Sequence, residues 1–139
     1  GSARIGTVPD AVQVGPKVCL INKYSASDGD LFPWGFRALG LGKLIGTRTW
    51  GGIVGISGSL PYMDGTDIRV PFFTSFDPKT GSWIIENHGV DPDILIDNDP
   101  VKEWNGEDQQ LDRAIQEVMK ELQNRKPLPG VPTPRDFSK

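Results

Sequence analysis

The sequence contains one cysteine and one histidine among its 139 residues. A single cysteine excludes a disulfide bond within the chain, and the two residues together are too few for a zinc site of cysteine and histidine ligands. We therefore expect no metal and no other cofactor. Cys19 lies in a short apolar run, where a small buried side chain is favoured over a reactive thiol.

Basic charge and long apolar runs are scarce as well. The chain has 15 lysine and arginine residues against 18 acidic ones, a formal net charge of −3 at pH 7, which gives no electrostatic attraction to nucleic acid. No apolar run approaches the roughly 20 residues that cross a membrane, and no signal peptide opens the chain. We therefore expect neither nucleic acid nor a membrane as a partner.

The ends of the chain differ in composition from its middle. Gly1 and Ser2 resemble the remnant of an expression tag, so the missing signal peptide says little about the intact protein. We expect residues 1–16 to be that remnant and an extended leading segment, residues 17–125 to fold, and residues 126–139, with four prolines, to form an extended tail. A cytoplasmic location is the expectation, and a periplasmic or secreted location is the alternative.

The first part of the folded region predicts two strands joined by a helix. Lys17–Asn22 contains a continuous apolar run, which suits a strand covered on both faces. Lys43–Thr47 is the second strand. The order strand, helix, strand implies a right-handed crossover and parallel pairing.

The helix between these strands has recognisable ends. Its start is expected near residues 28–30, with Asp30 as the candidate N-cap. Pro33 is tolerated only if it falls in the first turn, because proline lacks the N–H that the helix interior needs. Gly40 is expected to end the helix.

Later segments predict further strands and a long helix. Ile68–Phe76 and Gly81–Asn87 flank a proline- and glycine-containing turn and predict a hairpin. Asp93–Asp97 is a short strand candidate, and Asn98–Gly106 is predicted as loop. From about Glu107 to Asn124 apolar residues recur every three or four positions, which predicts an amphipathic, core-facing helix. The fold class is therefore α/β, with a mixed, partly parallel sheet.

The turn between the first strand and the first helix carries the strongest candidate for chemistry. Ser27 precedes Asp28 and Gly29 at the predicted start of the helix. Helix N-termini expose backbone N–H groups without helical partners, so a serine nucleophile and an oxyanion hole are usefully placed there. The alternative is that these residues only form a turn and cap the helix.

Two other segments carry candidate site residues. Trp50 is followed by Gly51 and Gly52, and such glycines suit either the wall of a substrate cleft or a tight turn packed by one tryptophan. His88, with Glu86 or Asp91, could complete a triad with Ser27. A polar turn residue is the favoured interpretation of His88.

Three motifs in the same order and spacing give the chain a family resemblance. Residues 24–33 (YSASDGDLFP), 40–52 (GLGKLIGTRTWGG) and 86–93 (ENHGVDPD) resemble the serine protease domain of the tricorn family. That family belongs to the superfamily of tail-specific and C-terminal processing proteases. The resemblance extends from about Val18 to Asp97 and identifies residues 17–125 as the C-terminal part of the catalytic domain.

The resemblance implies a role for each matching residue. Ser27 would be the nucleophile, the N–H of Asp28 would contribute to the oxyanion hole, and Glu86 would bind a serine beside the catalytic histidine. That serine, the histidine and a second oxyanion-hole glycine belong to an upstream half that no segment here matches. Gly29, Trp50, Gly51 and Gly52 are the substrate-cleft candidates. The related processing proteases have a catalytic lysine where this chain has Gly52, which favours the histidine-dependent type.

The resemblance also implies a fold and an activity for the intact protein. The fold would be similar to that of the Clp protease/crotonase superfamily, and the activity would be that of a serine endopeptidase acting on peptides or unfolded protein segments. The intact protein would form homo-oligomers, hexamers by analogy, whereas this chain alone would be inactive. The alternative is a non-catalytic module that binds a ligand or peptide on the same fold. A crotonase-like acyl-CoA enzyme is disfavoured because no CoA site is found.

Overall fold

The computed structural model describes residues 12–58 and 61–127, together with Pro9 and Gly130. Most of the predicted leading segment and tail lies outside the described residues. Their predicted extended character therefore stays a prediction.

The described chain contains five strands and three helices. In chain order they are β1 Val18–Ile21, α1 Asp28–Ala38, β2 Lys43–Gly46, β3 Gly55–Gly58, β4 Arg69–Phe73, β5 Ile94–Leu95, α2 Pro100–Trp104 and α3 Gln109–Gln123. β1, β2 and β5 form a parallel sheet with β2 in the centre, and β3 pairs antiparallel with β4 in a separate ribbon. The predicted parallel pairing across a helix is confirmed. The short strand predicted at 93–97 is β5.

The core lies where α1 covers the central strand. Leu44 and Ile45 of β2 are 0% exposed, and Leu44 packs with Ile21, Phe36 and Val90 in one apolar cluster. β1 is an edge strand within the described sheet, and Leu20 is 42% exposed. Helices α1 and α3 both contact β1, so the strand is covered in part, although less completely than its apolar run predicts.

Helix α1 starts and ends as the sequence indicates, but two details differ. Ser27, and not Asp30, is the N-cap. Pro33 is the sixth helical residue and its ring is buried, so the expectation that it fits only in the first turn is wrong. At the other end Gly40 has φ 62°, and the N–H groups of Gly40 and Leu41 bond back in the Schellman pattern.

The predicted hairpin has a different strand pairing. The predicted turn is present, with Gly81 N–H donating to Asp77 O at 2.8 Å, but only Phe76 and Trp83 form a bridge across it. β4 pairs with β3 instead. The prediction failed because β3 is glycine-rich and lacks the alternating apolar pattern that marks a strand.

Helix α2 replaces part of the predicted loop. Asp99 caps it by accepting bonds from the N–H groups of Val101 and Lys102, and Pro100 occupies its first position. An Asp-Pro pair is a recognised helix start. Five residues are too few to show the apolar periodicity that predicts a helix. The helix predicted over 107–124 is α3, capped by Asp108, and it packs against β1 and β2.

Candidate active site

Ser27 sits at the N-cap of α1 with a strained backbone. Its φ is 55° and its ψ is −111°, a conformation that costs a non-glycine residue roughly 1–3 kcal/mol. Its carbonyl accepts bonds from Asp30 and Leu31 at 2.9 and 3.0 Å, while its hydroxyl makes no capping bond. The side chain is exposed. The backbone therefore fixes this serine, and its hydroxyl is left available.

The first turn of α1 leaves one N–H group open beside that serine. The N–H of Gly29 donates to Ala26 O at 2.8 Å, and those of Asp30 and Leu31 donate to Ser27 O. The N–H of Asp28 has no partner among the described residues. This is the arrangement that an oxyanion-hole donor requires.

The segment Thr49–Val54, here called the clamped segment, contains three of the predicted cleft residues and has every backbone N–H engaged. The N–H groups of residues 49–52 each donate to a different acceptor atom. Those of Ile53 and Val54 share one carboxylate oxygen of Glu86. The bonds run from Thr49 N to Val90 O (3.1 Å), Trp50 N to Ser25 O (2.9 Å), Gly51 N to Asp30 Oδ1 (2.7 Å), Gly52 N to Asp30 Oδ2 (3.3 Å), and Ile53 N and Val54 N to Glu86 Oε2 (2.7 and 3.0 Å). Backbone held in this way is a rigid wall.

Gly51 is required at its position by backbone geometry. Its φ is 87°, and a Cβ built on it would lie 2.4 Å from the N of Gly89. Trp50, by contrast, is 66% exposed, with its ring beside Gly52, where a Cβ would lie 2.2 Å from the ring. The clamped segment therefore offers an aromatic side chain to solvent and packs its glycines against backbone and ring.

Glu86 binds the second half of the clamped segment, whereas Asp30 binds Gly51 and Gly52. Its Oε2 accepts from both Ile53 and Val54, and its Oε1 accepts no hydrogen bond from any described residue. The side chain is partly buried. Glu86 therefore has a local role that the sequence did not indicate, and one oxygen remains for a donor elsewhere.

Among the described residues, His88 forms no hydrogen bond with Ser27. Its Nε2 lies 2.8 Å from Asp91 Oδ2, and both side chains are about 60% exposed. Asp93 instead joins core elements, with Oδ2 accepting from Leu44 N at 2.7 Å and Oδ1 bonding Arg37 at 3.0 Å. These contacts agree with the interpretation of His88 as a polar turn residue, and they give Asp93 a structural role.

Other candidate chemistries find little support in the described chain. Burial raises the pKa of the Cys19 thiol, which lowers its thiolate fraction at neutral pH. No group of three or more histidine, cysteine or carboxylate residues is arranged to hold a metal within residues 12–58 and 61–127. No helix in that same part combines the length and the apolar character of a membrane span.

An open apolar groove of about 540 Å³ begins where the clamped segment ends. Val54 lines it together with the aromatic residues of the ribbon and of the following turn. The remaining lining residues are Pro71, Phe72, Phe73, Thr74, Phe76 and Trp83. Trp83 therefore lies on a surface continuous with the clamped segment.

Sequence reasoning missed Asp30 as a site residue. Its side chain is 0% exposed and binds two N–H groups more than twenty positions along the chain. An aspartate three residues after a helix-starting serine is typical of a helix first turn, so the local pattern carried no signal of that distant bond.

Comparison with known proteins places this chain in a family. Residues 4–96 match peptidase family S41. The tricorn protease of Thermoplasma acidophilum is 46% identical over 110 residues, covering 79% of this chain and 10% of that protein. Tricorn protease homolog 1 of Streptomyces coelicolor is 42% identical over 107 residues, covering 77% and 10%.

A solved structure agrees with these sequence matches. The crystal structure of the tricorn protease superposes with a TM-score of 0.70 at 46% identity, covering 77% of this chain and 10% of that one. The chain therefore spans about a tenth of the length of the relatives it matches. Because the family model matches most of this chain and the chain superposes on a part of the tricorn protease, the chain belongs to peptidase family S41.

Proposed function

We propose that the intact protein is a serine endopeptidase that uses Ser27 as its nucleophile. The observation that carries this proposal is the pairing of an unengaged Ser27 hydroxyl with the open N–H of Asp28 on one strained turn. Ser27 Oγ attacks the peptide carbonyl, its proton passes to a histidine, and the carbonyl oxygen becomes an oxyanion held by Asp28 N–H. The amine then leaves with that proton, and water hydrolyses the acyl-enzyme.

The general base in this proposal comes from outside this chain. The sequence has one histidine, and His88 is bonded to Asp91. The chain spans about a tenth of its relatives, so ample sequence remains to supply a base. The resemblance assigns that base, and a serine beside it, to the preceding half of the domain. Glu86 Oε1 is then the acceptor for that serine, while Oε2 holds the clamped segment.

The substrate proposed is a peptide or an unfolded protein segment lying along the clamped segment. Trp50 presents its ring to solvent there, and Gly29, Gly51 and Gly52 are the other residues that we propose to line the cleft. The relatives are called tricorn proteases. We also propose that the parallel sheet belongs to a Clp/crotonase-like fold and that the intact protein forms homo-oligomers.

A labelling experiment on the full-length protein tests the nucleophile. A fluorophosphonate should label wild type and a Ser57→Ala control, and both should hydrolyse a mixed fluorogenic peptide set. Ser27→Ala should lose both signals, with hydrolysis reduced by about 10⁴-fold or more. The 139-residue chain alone should hydrolyse none of the peptides.

Two results would overturn parts of this proposal. Ser27-dependent hydrolysis by the 139-residue chain alone would show that the base lies within it and would bring back His88. Absence of labelling and hydrolysis in the full-length protein would favour the alternative, a non-catalytic peptide-binding module. The apolar groove beside Val54 is the observation in favour of that alternative.

A further inference from the structure

The proposed acyl transfer makes no use of the Asp30 carboxylate, which is 0% exposed. No lysine or arginine among the described residues forms an ion pair with it. A buried carboxylate without a cation is costly unless hydrogen bonds replace its hydration. Its described bonds come from Gly51 and Gly52 of the clamped segment, so the placement of that segment relative to Asp30 is tightly specified.

The clamped segment forms hydrogen bonds with residues that lie before and after Ser27 in the sequence. The N–H of Trp50 donates to the carbonyl of Ser25, two residues before the serine. The next two N–H groups donate to Asp30, three residues after it. Three consecutive N–H groups therefore fix the segment against the short stretch that positions the nucleophile.

We propose that Asp30 is a positioning residue that keeps the clamped segment in register with Ser27. A peptide lying on the segment then presents its carbonyl to Ser27 Oγ at reacting distance. Asp30 acts through Gly51 and Gly52 and touches no reacting atom. The proposal rests on the proposed peptidase function, and it adds the residue that couples the substrate wall to the nucleophile.

The variant Asp30→Asn in the full-length protein tests this coupling. The amide keeps the size of the side chain but replaces one accepting oxygen with an NH₂ group, which cannot accept from Gly52. We expect kcat for a fluorogenic peptide to fall about 10- to 100-fold, because a displacement near 1 Å has that effect. KM should change less than about threefold, since binding is altered less than alignment.

A second readout separates positioning from general damage. A small fluorophosphonate without a peptide portion needs Ser27, its base and the Asp28 N–H, and it does not need the clamped segment. Its labelling rate in Asp30→Asn should stay within about threefold of wild type. Equal losses of labelling and hydrolysis, or no loss of either, would overturn the positioning role.

Asp99→Asn is the matched control. Asp99 also accepts two backbone N–H groups, from Val101 at 2.8 Å and Lys102 at 3.2 Å, but it lies at the start of α2. Both readouts should stay at wild-type values in this variant. A kcat loss like that of Asp30→Asn would show that removing any such carboxylate is sufficient, and would overturn the proposal.

A backbone substitution covers the case in which Asp30→Asn does not fold. Glycolic acid at position 52, introduced by stop-codon suppression, replaces one N–H donor with an ester oxygen and leaves every other side chain in place. As in Asp30→Asn, kcat for the peptide should fall while the labelling rate stays near that of wild type, but the kcat loss should be smaller, about 3- to 10-fold. An unchanged kcat would contradict the coupling. Absence of labelling in wild type itself would instead overturn the peptidase function.

Discussion

The parallel sheet and the β3–β4 ribbon differ in what covers them. The central strand of the sheet has side chains that are 0% exposed, because α1 and α3 pack on it. Every residue of β4 is exposed, including Phe72 at 77% and Phe73 at 62%. Among the described elements no helix packs closely on the ribbon, whereas helices pack on both β1 and β2.

This difference indicates that buried packing within the chain stabilises the sheet region and contributes little to the ribbon. The turn that contains Ser27 and the clamped segment are held by elements of the sheet region, chiefly α1 and the turn that contains Glu86. The ribbon presents aromatic side chains around an open groove. We therefore expect substitutions in the sheet region to affect folding and matched substitutions in the ribbon to have little effect.

The largest expected difference lies between two apolar truncations. Leu44→Ala removes a fully buried side chain of β2, and it should lower the free energy of unfolding by about 2–5 kcal/mol. Phe72→Ala removes a larger but exposed ring and should stay within about 0.5 kcal/mol of wild type. Urea unfolding of the chain measures both. A comparable loss in Phe72→Ala would show that the ribbon is packed in solution.

Two glycines with positive φ give the second comparison. Gly51 has φ 87° and a backbone N atom 2.4 Å from its would-be Cβ, whereas Gly65 has φ 83° and no atom within 4 Å. Gly51→Ala should cost about 1–3 kcal/mol for the backbone conformation, with a steric clash in addition. Gly65→Ala should show only the conformational part. Equal unfolding midpoints would contradict the close approach at Gly51.

The third comparison is between two aspartates that accept hydrogen bonds from nearby backbone N–H groups. Asp108 caps α3 by accepting from Leu111, and Asp64 accepts from Thr66 in the loop of the ribbon. These bonds hold the pKa of each carboxyl below its usual value. Asp108→Ala should cost about 1 kcal/mol, a typical N-cap value, and Asp64→Ala should leave the thermal midpoint unchanged. Equal effects would mean that the cap contributes nothing particular.

The smallest expected effect concerns an ion pair and depends on pH. Glu117 bonds Lys43 at 2.6 Å, and this bond lowers the pKa of the Glu117 carboxyl below 4.5. Its stabilisation is therefore present above the unfolded-state pKa and is lost as the pH falls through the lower folded value. Glu117→Gln should melt earlier than wild type at pH 7, with a gap that narrows below pH 4.5.

The ribbon again supplies the matched control for this ion pair. Asp67 and Arg69 are 3.8 Å apart and exposed, so Asp67→Asn should melt like wild type at both pH values. A constant gap between Glu117→Gln and wild type across the whole pH range would contradict the ion-pair explanation.

Local patterns predicted the sheet region better than the ribbon. The apolar runs of β1 and β2, the serine turn and Gly40 lie within thirty residues, and their short-range signals sufficed to predict strand, helix, strand. The pairing of β3 with β4 spans a loop and involves a strand with two glycines among four residues. Its partner is decided by tertiary contacts, which no sequence period encodes.

In the candidate site, too, local features could be predicted from the sequence and long-range bonds could not. Ser27 and Asp28 could be singled out because the turn chemistry is local. The bonds of Asp30 to Gly51 and of Glu86 to Ile53 connect residues 21 and 33 positions apart. Those bonds depend on how the sheet brings distant loops together, so no local pattern predicts them. The catalytic roles of all these residues stay predictions.

The clamped segment has a consequence for how such a site can diversify. Its position depends on backbone N–H groups, two carboxylates and two glycines, since a Cβ on Gly89 would lie 2.3 Å from Thr49 O. The side chains of Trp50, Ile53 and Val54 make none of the bonds that hold it. Trp50 and Val54 are not buried, so these two side chains can be exchanged without moving the Ser27 turn, whereas Ile53 is 3% exposed and belongs to the core. Under the proposed peptidase function, such exchanges would change the preferred substrate.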